Sequence, residues 1–158
     1  MANIREANNI NDLASMLVMG EDMHNESPRF QAHQFNLQKS ASLLKDIDYS
    51  ENGILLVAEE HDTLVGMLIG IVSTLPFCDG LVANELVVYV APEYRGSSAC
   101  IKLIKRFEEW ATSKGVDEII LGVSTEVEAD RTHKLYERLG YTHNGTSLIK
   151  KRVSITHH

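Results

Sequence analysis

The chain has 158 residues, 44% of them hydrophobic and 23% charged, so one ordinary domain with a real core is expected rather than disorder. Its formal net charge of −7 lacks the excess of Lys and Arg with which a general nucleic-acid-binding protein neutralises phosphates. Residues 1–80 hold 12 Asp and Glu against 4 Lys and Arg, which either solubilises this half or attracts a cationic substrate.

The sequence predicts a cytoplasmic protein that does not cross a membrane. Its two cysteines, Cys78 and Cys100, have no C-x-x-C spacing, and no apolar signal segment precedes the first predicted strand. The longest apolar run, residues 64–75, is too short to span a bilayer. We expect a single domain over residues 1–156, followed by a two-histidine tail that is either native or the remnant of a tag.

Two helices are predicted near the N-terminus. Asn11 or Asp12 caps the first, which ends at Met19. Residues 21–34 are polar and contain a proline, so they predict a loop. Asn36 caps the second helix, whose apolar residues recur at helical spacing. His24, Glu26, Ser27 and Arg29 lie in the predicted loop as candidates for contacting an acceptor, and the sequence assigns them no role.

Apolar and β-branched runs predict five strands, at residues 4–7, 54–58, 64–75, 85–90 and 117–124. Gly66 and Gly70 lie inside the third of them, where glycine often marks the close approach of a ligand or another backbone.

Two more helices and a hairpin complete the prediction. Apolar residues at helical spacing predict helices over residues 97–114 and 128–139. Asn144-Gly145, between residues 141–143 and 146–153, is typical of a two-residue hairpin turn. The resulting order, β-α-α-β-β-β-α-β-α-β-β, predicts one α/β (α+β) domain with a mixed sheet.

The turn between the strand at residues 85–90 and the following helix is the most informative segment. The first turn of a helix carries unpaired N–H groups and partial positive charge, which together bind anions. Arg95 adds a cation, Gly96 allows close backbone approach, and Ser97 and Ser98 cap the helix or donate to an oxygen. An ordinary strand-to-helix turn with a good cap would look the same. The nucleoside-triphosphate and dinucleotide glycine motifs are absent from the sequence.

Residues 90–96, Val-Ala-Pro-Glu-Tyr-Arg-Gly, resemble the pyrophosphate-binding motif of the GCN5-related N-acetyltransferase (GNAT) family. That motif reads Arg/Gln-x-x-Gly-x-Gly/Ala. This chain has Arg95, followed by Ser98 and Cys100 at the two small positions.

A second segment carries the same resemblance. Residues 130–141, DRTHKLYERLGY, are similar to the family's Asn-x-x-Ala-x-x-Leu-Tyr-x-x-x-Gly-Phe helix. Tyr136 falls on the tyrosine of that pattern, while Asp130 and His133 replace its Asn and Ala.

The resemblance implies a mostly antiparallel mixed sheet flanked by helices, with its fourth and fifth strands splayed apart around the coenzyme's pantetheine arm. It implies an enzyme that transfers an acetyl group from acetyl-coenzyme A, as co-substrate, to a primary amine of a small molecule or peptide. A homodimer also agrees with the family. The implied coenzyme-binding residues are Val88, Tyr89, Val90, Arg95, Gly96, Ser97, Ser98, Ala99, Cys100 and Asp130.

Two residues are candidates for proton transfer. Glu85 opens the strand beside the expected thioester and is the candidate base that keeps the amine neutral. By resemblance, Tyr136 protonates the leaving thiolate of coenzyme A. A solvated strand-end carboxylate and a core tyrosine are the alternative interpretations of these two residues.

Two other functions remain open at this stage. One is a noncatalytic acyl-coenzyme A sensor on the same fold, favoured by the Ser98, Cys100 and Asp130 replacements. The other is a thiol enzyme, in which Cys100 in the first turn of a helix is the nucleophile and His133 or His143 the base. Metal catalysis is not expected, because the seven histidines show no zinc-binding spacing.

Overall fold

A computed structural model of the protein describes residues 1–122 and 129–152. The described strands are β1 (Asn3–Glu6), β2 (Gly53–Glu60), β3 (Thr63–Thr74), β4 (Leu81–Val90) and β5 (Glu118–Ile120). The described α-helices are α1 (Ile10–Glu26), α2 (Leu37–Tyr49), α3 (Ala99–Ser113) and α4 (Ala129–Arg138). The strands form one open sheet in the order β1-β2-β3-β4-β5, antiparallel throughout except for β4 and β5, which are parallel. The predicted mixed, mostly antiparallel α/β architecture is confirmed.

Two apolar clusters cover opposite faces of this sheet. The helices α1 and α2 pack on one face through Met16 and Ile47, among others. The helices α3 and α4 pack on the other through side chains such as Phe107 and Tyr136. Because strand residues alternate between faces, Tyr89 belongs to the first cluster and its neighbour Val90 to the second. The sheet therefore separates an α1–α2 side from an α3–α4 side.

The first helix is longer at both ends than predicted. Asn9, rather than Asn11 or Asp12, is its N-cap and accepts a 2.9 Å bond from the Asp12 N–H. Asp12 is instead a buried ion-pair partner of Arg5, at 2.7 and 3.0 Å. The helix continues through Gly20 to Glu26 because no proline occurs before Pro28, which disfavours helical geometry at Ser27. The predicted loop is thus partly helical.

The prediction for α2 is confirmed, since the Asn36 side chain accepts a 2.9 Å bond from the Lys39 N–H at its start. The strand prediction is also confirmed in number and order for β1 to β5, although β4 begins at Leu81 rather than at Glu85. The end of the predicted fifth strand, residues 123 and 124, lies outside the described residues, as does Glu128 before α4.

Gly70 in β3 is required by packing. A Cβ atom at this position would lie 2.3 Å from Cε1 of Phe107 in α3, far inside van der Waals contact. The close approach that glycine indicated in this strand is therefore made by an aromatic side chain of the core.

The predicted C-terminal hairpin is wrong for the part of the chain that is described. Gly145 has the positive φ of a turn residue (78°), but residues 141–152 contain no strand. Leu148 and Ile149 are adjacent, so only one could face the sheet, and three basic residues follow them. Without one apolar face, turn propensity alone does not stabilise a hairpin. Val153, the last residue of the predicted strand, lies outside the described residues.

Candidate active site

The candidate site begins where β4 and β5 separate. Among the described residues, the two strands pair from Val82 to Asn84, opposite Glu118 to Ile120. Beyond Asn84, β4 continues to Val90 and pairs with β3 alone among the described strands. Within the described residues, β4 and β5 thus separate after Asn84, as the resemblance implies.

A β-bulge orients Glu85 into this gap. The β3–β4 register pairs Gly70 with Glu85 and Ile69 with Val87, which leaves Leu86 as the extra residue. Bulges of this kind redirect side chains and are common next to active sites. The bulge keeps Glu85 on the α3–α4 side of the sheet while returning Val87 to the α1–α2 cluster.

The environment of Glu85 strengthens it as a base. Its Oε2 accepts a 3.2 Å hydrogen bond from the Gly122 N–H, so the carboxyl connects the separating ends of β4 and β5. Burial raises the pKa of Glu85 from 4.5 to about 7, and the Gly122 bond offsets part of that rise. A base with a pKa near the working pH is effective in proton transfer.

Tyr136 lies in the same space, on α4. Its side chain is only 5% exposed, and its hydroxyl has no hydrogen-bond partner among the residues that the structure describes. Burial, followed by the nearby Glu85 and Cys100, raises the pKa of this phenol, so it stays protonated. Buried hydroxyls almost always make a hydrogen bond, so the unpaired Tyr136 hydroxyl indicates that its partner comes from outside the described chain.

Cys100 does not have the properties of a nucleophile. Burial, with the charge of Glu85, raises the pKa of its thiol to about 11, which is opposite to the expected effect of the helix N-terminus. Because its pKa is raised, the thiol is protonated at neutral pH, which argues against the thiol-enzyme interpretation. The candidate bases His133 and His143 lie edge-to-face with each other, and their ring centroids are 5.5 Å apart.

The turn between β4 and α3 is a single 3₁₀ turn, Pro92–Tyr94, followed by the predicted phosphate-binding residues. Gly96 has a φ of +88°, a left-handed conformation that favours glycine. Ser97 donates its hydroxyl to the Tyr94 carbonyl and accepts from the Ala99 N–H at 3.3 Å. Ser98 is the N-cap residue of α3, but its side chain makes no capping bond.

Arg95 points away from this turn. Its guanidinium makes a two-bond ion pair with Glu26 at the end of α1, with one N–O distance of 2.8 Å. Its Nε donates to the Val90 carbonyl at 2.8 Å, and its guanidinium carbon lies 5.5 Å from the Tyr89 ring centroid. Arg95 thereby joins the turn to the α1–α2 side of the sheet. The Val90 carbonyl already accepts a hydrogen bond from Arg95.

The other predicted residues are placed as follows. Val88, Tyr89 and Val90 form the part of β4 beyond its pairing with β5, and Asp130 is exposed in the first turn of α4. Cys100 follows Ala99, which is buried in the α3–α4 cluster.

The acceptor-loop candidates separate in the structure. His24 and Glu26 belong to α1, where a ring nitrogen of His24 lies 2.5 Å from the His33 carbonyl. Ser27 is fully buried and accepts a 3.3 Å bond from the Phe30 N–H. The guanidinium carbon of Arg29 lies 4.9 Å from the Phe30 ring centroid.

Sequence reasoning missed Arg131. A Cβ atom on Gly96 would lie 3.2 Å from Nη2 of Arg131, which places this guanidinium against the turn. Arg131 follows Asp130 directly in the sequence, which was the available signal for its position. Its proximity to Gly96 arises only in the folded chain.

In residues 1–122 and 129–152, no group of three or more His, Cys, Asp or Glu side chains could hold a metal ion. Within the same ranges, no helix is long and apolar enough to cross a membrane.

Solved structures share the whole architecture. A transcriptional regulator from Bacillus halodurans C-125 matches with a TM-score of 0.75 and 22% identity, over 95% of this chain and 100% of that one. The aminoglycoside N-acetyltransferase AAC(6')-Iy, in complex with the bisubstrate analogue CoA-S-monomethyl-acetylneamine, matches with a TM-score of 0.75 and 16% identity, over 98% of this chain and 99% of that one. Because both sequence identities are below 25%, these matches show that the chain shares the fold of the two structures.

Sequence comparison extends the likeness to the family. An acetyltransferase of Yersinia pestis (strain Pestoides F) is 28% identical over 102 residues, which are 65% of this chain and 67% of the relative. The model of the acetyltransferase (GNAT) family matches residues 20–141, which include β4, the turn, α3 and α4. Because that match covers well over half of the chain, the protein belongs to the GNAT family and is an acyltransferase.

Proposed function

We propose that this protein acetylates a primary amine, and that the amine nitrogen directly attacks the thioester of acetyl-coenzyme A. The single observation that carries the proposal is the orphaned Tyr136 hydroxyl, which is buried beside Glu85 where β4 and β5 separate. A protonated phenol in this position supplies the hydrogen-bond donor that a departing sulfur requires.

Glu85 and Tyr136 divide the proton transfers. The Glu85 carboxylate takes a proton from the neutral amine as the amine nitrogen attacks the carbonyl carbon of the thioester, and Glu85 then releases this proton to solvent. When the carbon–sulfur bond breaks, Tyr136 donates its proton to the sulfur and recovers one from solvent. A main-chain N–H of β4, between Val88 and Val90, polarises the carbonyl oxygen as charge develops there.

The turn before α3 binds the diphosphate of the coenzyme. Gly96 brings the backbone close to it, and the first turn of α3, from Cys100 onward, supplies main-chain N–H groups. Ser98 contributes its hydroxyl, whereas Ser97 and the Ala99 N–H shape the turn through their bonds to each other and to the Tyr94 carbonyl. Because the Arg95 guanidinium is paired with Glu26, Arg95 acts through its backbone and by fixing the turn.

The acceptor is a small cationic molecule or a peptide amine that approaches from the α1–α2 side. The excess of negative charge lies in residues 1–80, and α1 carries Glu21 and Asp22 in addition to Glu26, whose charge is paired with Arg95. Negative potential of this kind concentrates cations near a site. The aminoglycoside acetyltransferase that shares this fold acts on such a polycationic class, which makes aminoglycosides and polyamines the first acceptors to test.

The test compares Tyr136→Phe with Tyr141→Phe. Tyr141 follows α4, its ring centroid is 6.3 Å from that of Tyr136, and its hydroxyl already donates to Glu108 at 3.0 Å. Acetyl transfer to an amine panel and coenzyme A affinity are measured for both. We expect Tyr136→Phe to lower kcat while coenzyme A binds as before, and Tyr141→Phe to keep its kcat.

A weaker affinity with unchanged kcat in Tyr136→Phe would remove its acid role. Tight coenzyme binding without turnover on any amine would favour the sensor function instead.

A further inference from the structure

We infer that Tyr89 and Asp22 form a cation site on the α1–α2 side of the sheet, which holds a second ammonium group of the acceptor. The inference rests on the proposed function and specifies its acceptor as a long diamine or polyamine. It concerns the side chain of Tyr89, whereas the proposed contact with the thioester uses main-chain groups of β4.

An unpaired phenol is the first support. The Tyr89 side chain is only 6% exposed and packs in the α1–α2 cluster, yet its hydroxyl makes no hydrogen bond to the residues that the structure describes. A phenol in such a position normally has a partner. Burial, followed by the nearby charge of Asp22, raises the pKa of this phenol. The hydroxyl therefore stays neutral, and its oxygen can accept a hydrogen bond from an ammonium group.

Negative charge around this hydroxyl is the second support. Asp22 and Glu26 are one turn apart on α1. The Arg95 guanidinium that pairs with Glu26 lies 5.5 Å from the Tyr89 ring centroid. Glu93 precedes Arg95 by two residues, in the turn after β4. All four charges act on the phenol, and three carboxylates against one guanidinium leave it in a net negative field.

The carboxylates that Arg95 does not neutralise are available to a ligand. Asp22 and Glu93 are both exposed, and neither has an ion-pair partner in the described part of the chain. An ammonium group beside the Tyr89 hydroxyl would therefore gain a hydrogen bond and an unpaired negative charge together.

The distance to Glu85 is the third support, because it limits which acceptors reach both points. Glu85 lies opposite Gly70 and Tyr89 opposite Met67, and these partners are three residues apart on β3. At about 3.4 Å per residue, Glu85 and Tyr89 are about 10 Å apart along the sheet. Their side chains lie on opposite faces, so the bound ammonium and the reacting amine are separated by at least this length.

The experiment uses amines that differ in length and in charge. Extended 1,8-diaminooctane and spermidine each place about 11 Å between their terminal nitrogens, and 1,4-diaminobutane only about 6 Å. The monoamine n-octylamine has no second charge. Acetyl transfer to all four is measured for the full-length wild type, Tyr89→Phe, Asp22→Asn and Asp48→Asn, which removes an exposed carboxylate of α2 as a control. Calorimetry with 1,8-diaminooctane in the presence of coenzyme A measures binding of the amine without turnover.

We expect the wild type to have a lower KM for the two long amines with several charges than for 1,4-diaminobutane or n-octylamine. Tyr89→Phe should raise that KM, and the calorimetric Kd, by about tenfold, as for a lost hydrogen bond to a charged group. Asp22→Asn should raise both by about three- to fivefold, as for a partly exposed ion pair. The kcat values and the KM for n-octylamine should not change, and Asp48→Asn should resemble the wild type. Asp22→Asn is also the second variant if Tyr89→Phe does not fold.

Four results would overturn the inference. Equal KM values for 1,8-diaminooctane and n-octylamine in the wild type would show that no second cation is bound. Unchanged KM and Kd values for 1,8-diaminooctane in both variants would exclude this site, and an equal loss with n-octylamine would reveal a structural role. Acetylation of other amines but of none of these four would exclude this class of acceptor. A wild type that acetylates no amine at all would instead refute the proposed function, and the cation site with it.

Discussion

Replacing Glu85 with glutamine should make the protein more stable at alkaline pH. Burial holds the pKa of this carboxyl at about 7 in the folded chain, against an ordinary value of 4.5 that the unfolded chain retains. The folded state therefore binds the proton more tightly, and its advantage is complete below pH 4.5 and lost as pH rises through 7. The difference between the two pKa values corresponds to about 3 kcal/mol, an upper figure for a side chain that is only partly buried.

Urea unfolding of the wild type and Glu85→Gln at intervals from pH 4 to pH 8.5 measures this difference directly. The variant should gain stability relative to the wild type with rising pH, by up to about 3 kcal/mol, because its amide does not ionise. Glu118→Gln, an exposed carboxylate on β5, controls for the loss of a negative charge. A constant difference across the range would refute the perturbed pKa of Glu85.

The same substitution tests catalysis. Since the base must be ionised, kcat/KM of the wild type should rise with pH through a midpoint near 7 and level off above it. Glu85→Gln should lose that limb and fall by about 100- to 10,000-fold. If activity falls while the limb persists, a water relay or another group is the base.

Three further predictions concern packing, chemistry and the link between the two sides of the sheet. Gly70→Ala should destabilise the fold by about 1–3 kcal/mol in urea unfolding, because its methyl group overlaps the Phe107 ring; an unchanged midpoint would contradict the observed packing. Cys100→Ser should keep its acetyl-transfer activity, since burial keeps the thiol protonated, and a loss of activity with intact folding would restore the thiol mechanism. A double-mutant cycle of Glu26→Gln and Arg95→Gln should give a coupling energy of about 1 kcal/mol, typical of a partly exposed ion pair, whereas strictly additive effects would show that the pair contributes nothing.

Local patterns in the sequence predicted most of the elements. Asn36 followed by apolar residues at helical spacing identified α2, and the β-branched runs identified the strands in their order. The errors occurred where tertiary contacts override local signals. Asp12 would cap a helix well, but it pairs with Arg5 from β1. Asn144-Gly145 favours a turn, but its flanking residues offer no apolar face that would hold two strands together.

The candidate site was predictable in its residue types but not in its contacts. Glu85 lies within an apolar strand whose sequence shows no break, so the bulge at Leu86 that orients it could not be anticipated. The raised pKa of Glu85 depends on its burial in the folded chain, which no local sequence pattern encodes. Arg95 matched the family motif, yet its partner Glu26 is 69 residues away in the chain.

These long-range contacts bear on the proposed binding of a diphosphate by a turn that departs from the family motif. With Ser98 and Cys100 at the small positions, the turn has less backbone freedom than glycine would give it. The Arg95–Glu26 pair and the bond to the Val90 carbonyl compensate by fixing the turn from the α1–α2 side. Fixing it in this way pairs the motif's own guanidinium with Glu26, so the proposed diphosphate contact depends on main-chain N–H groups of the turn and of the first turn of α3.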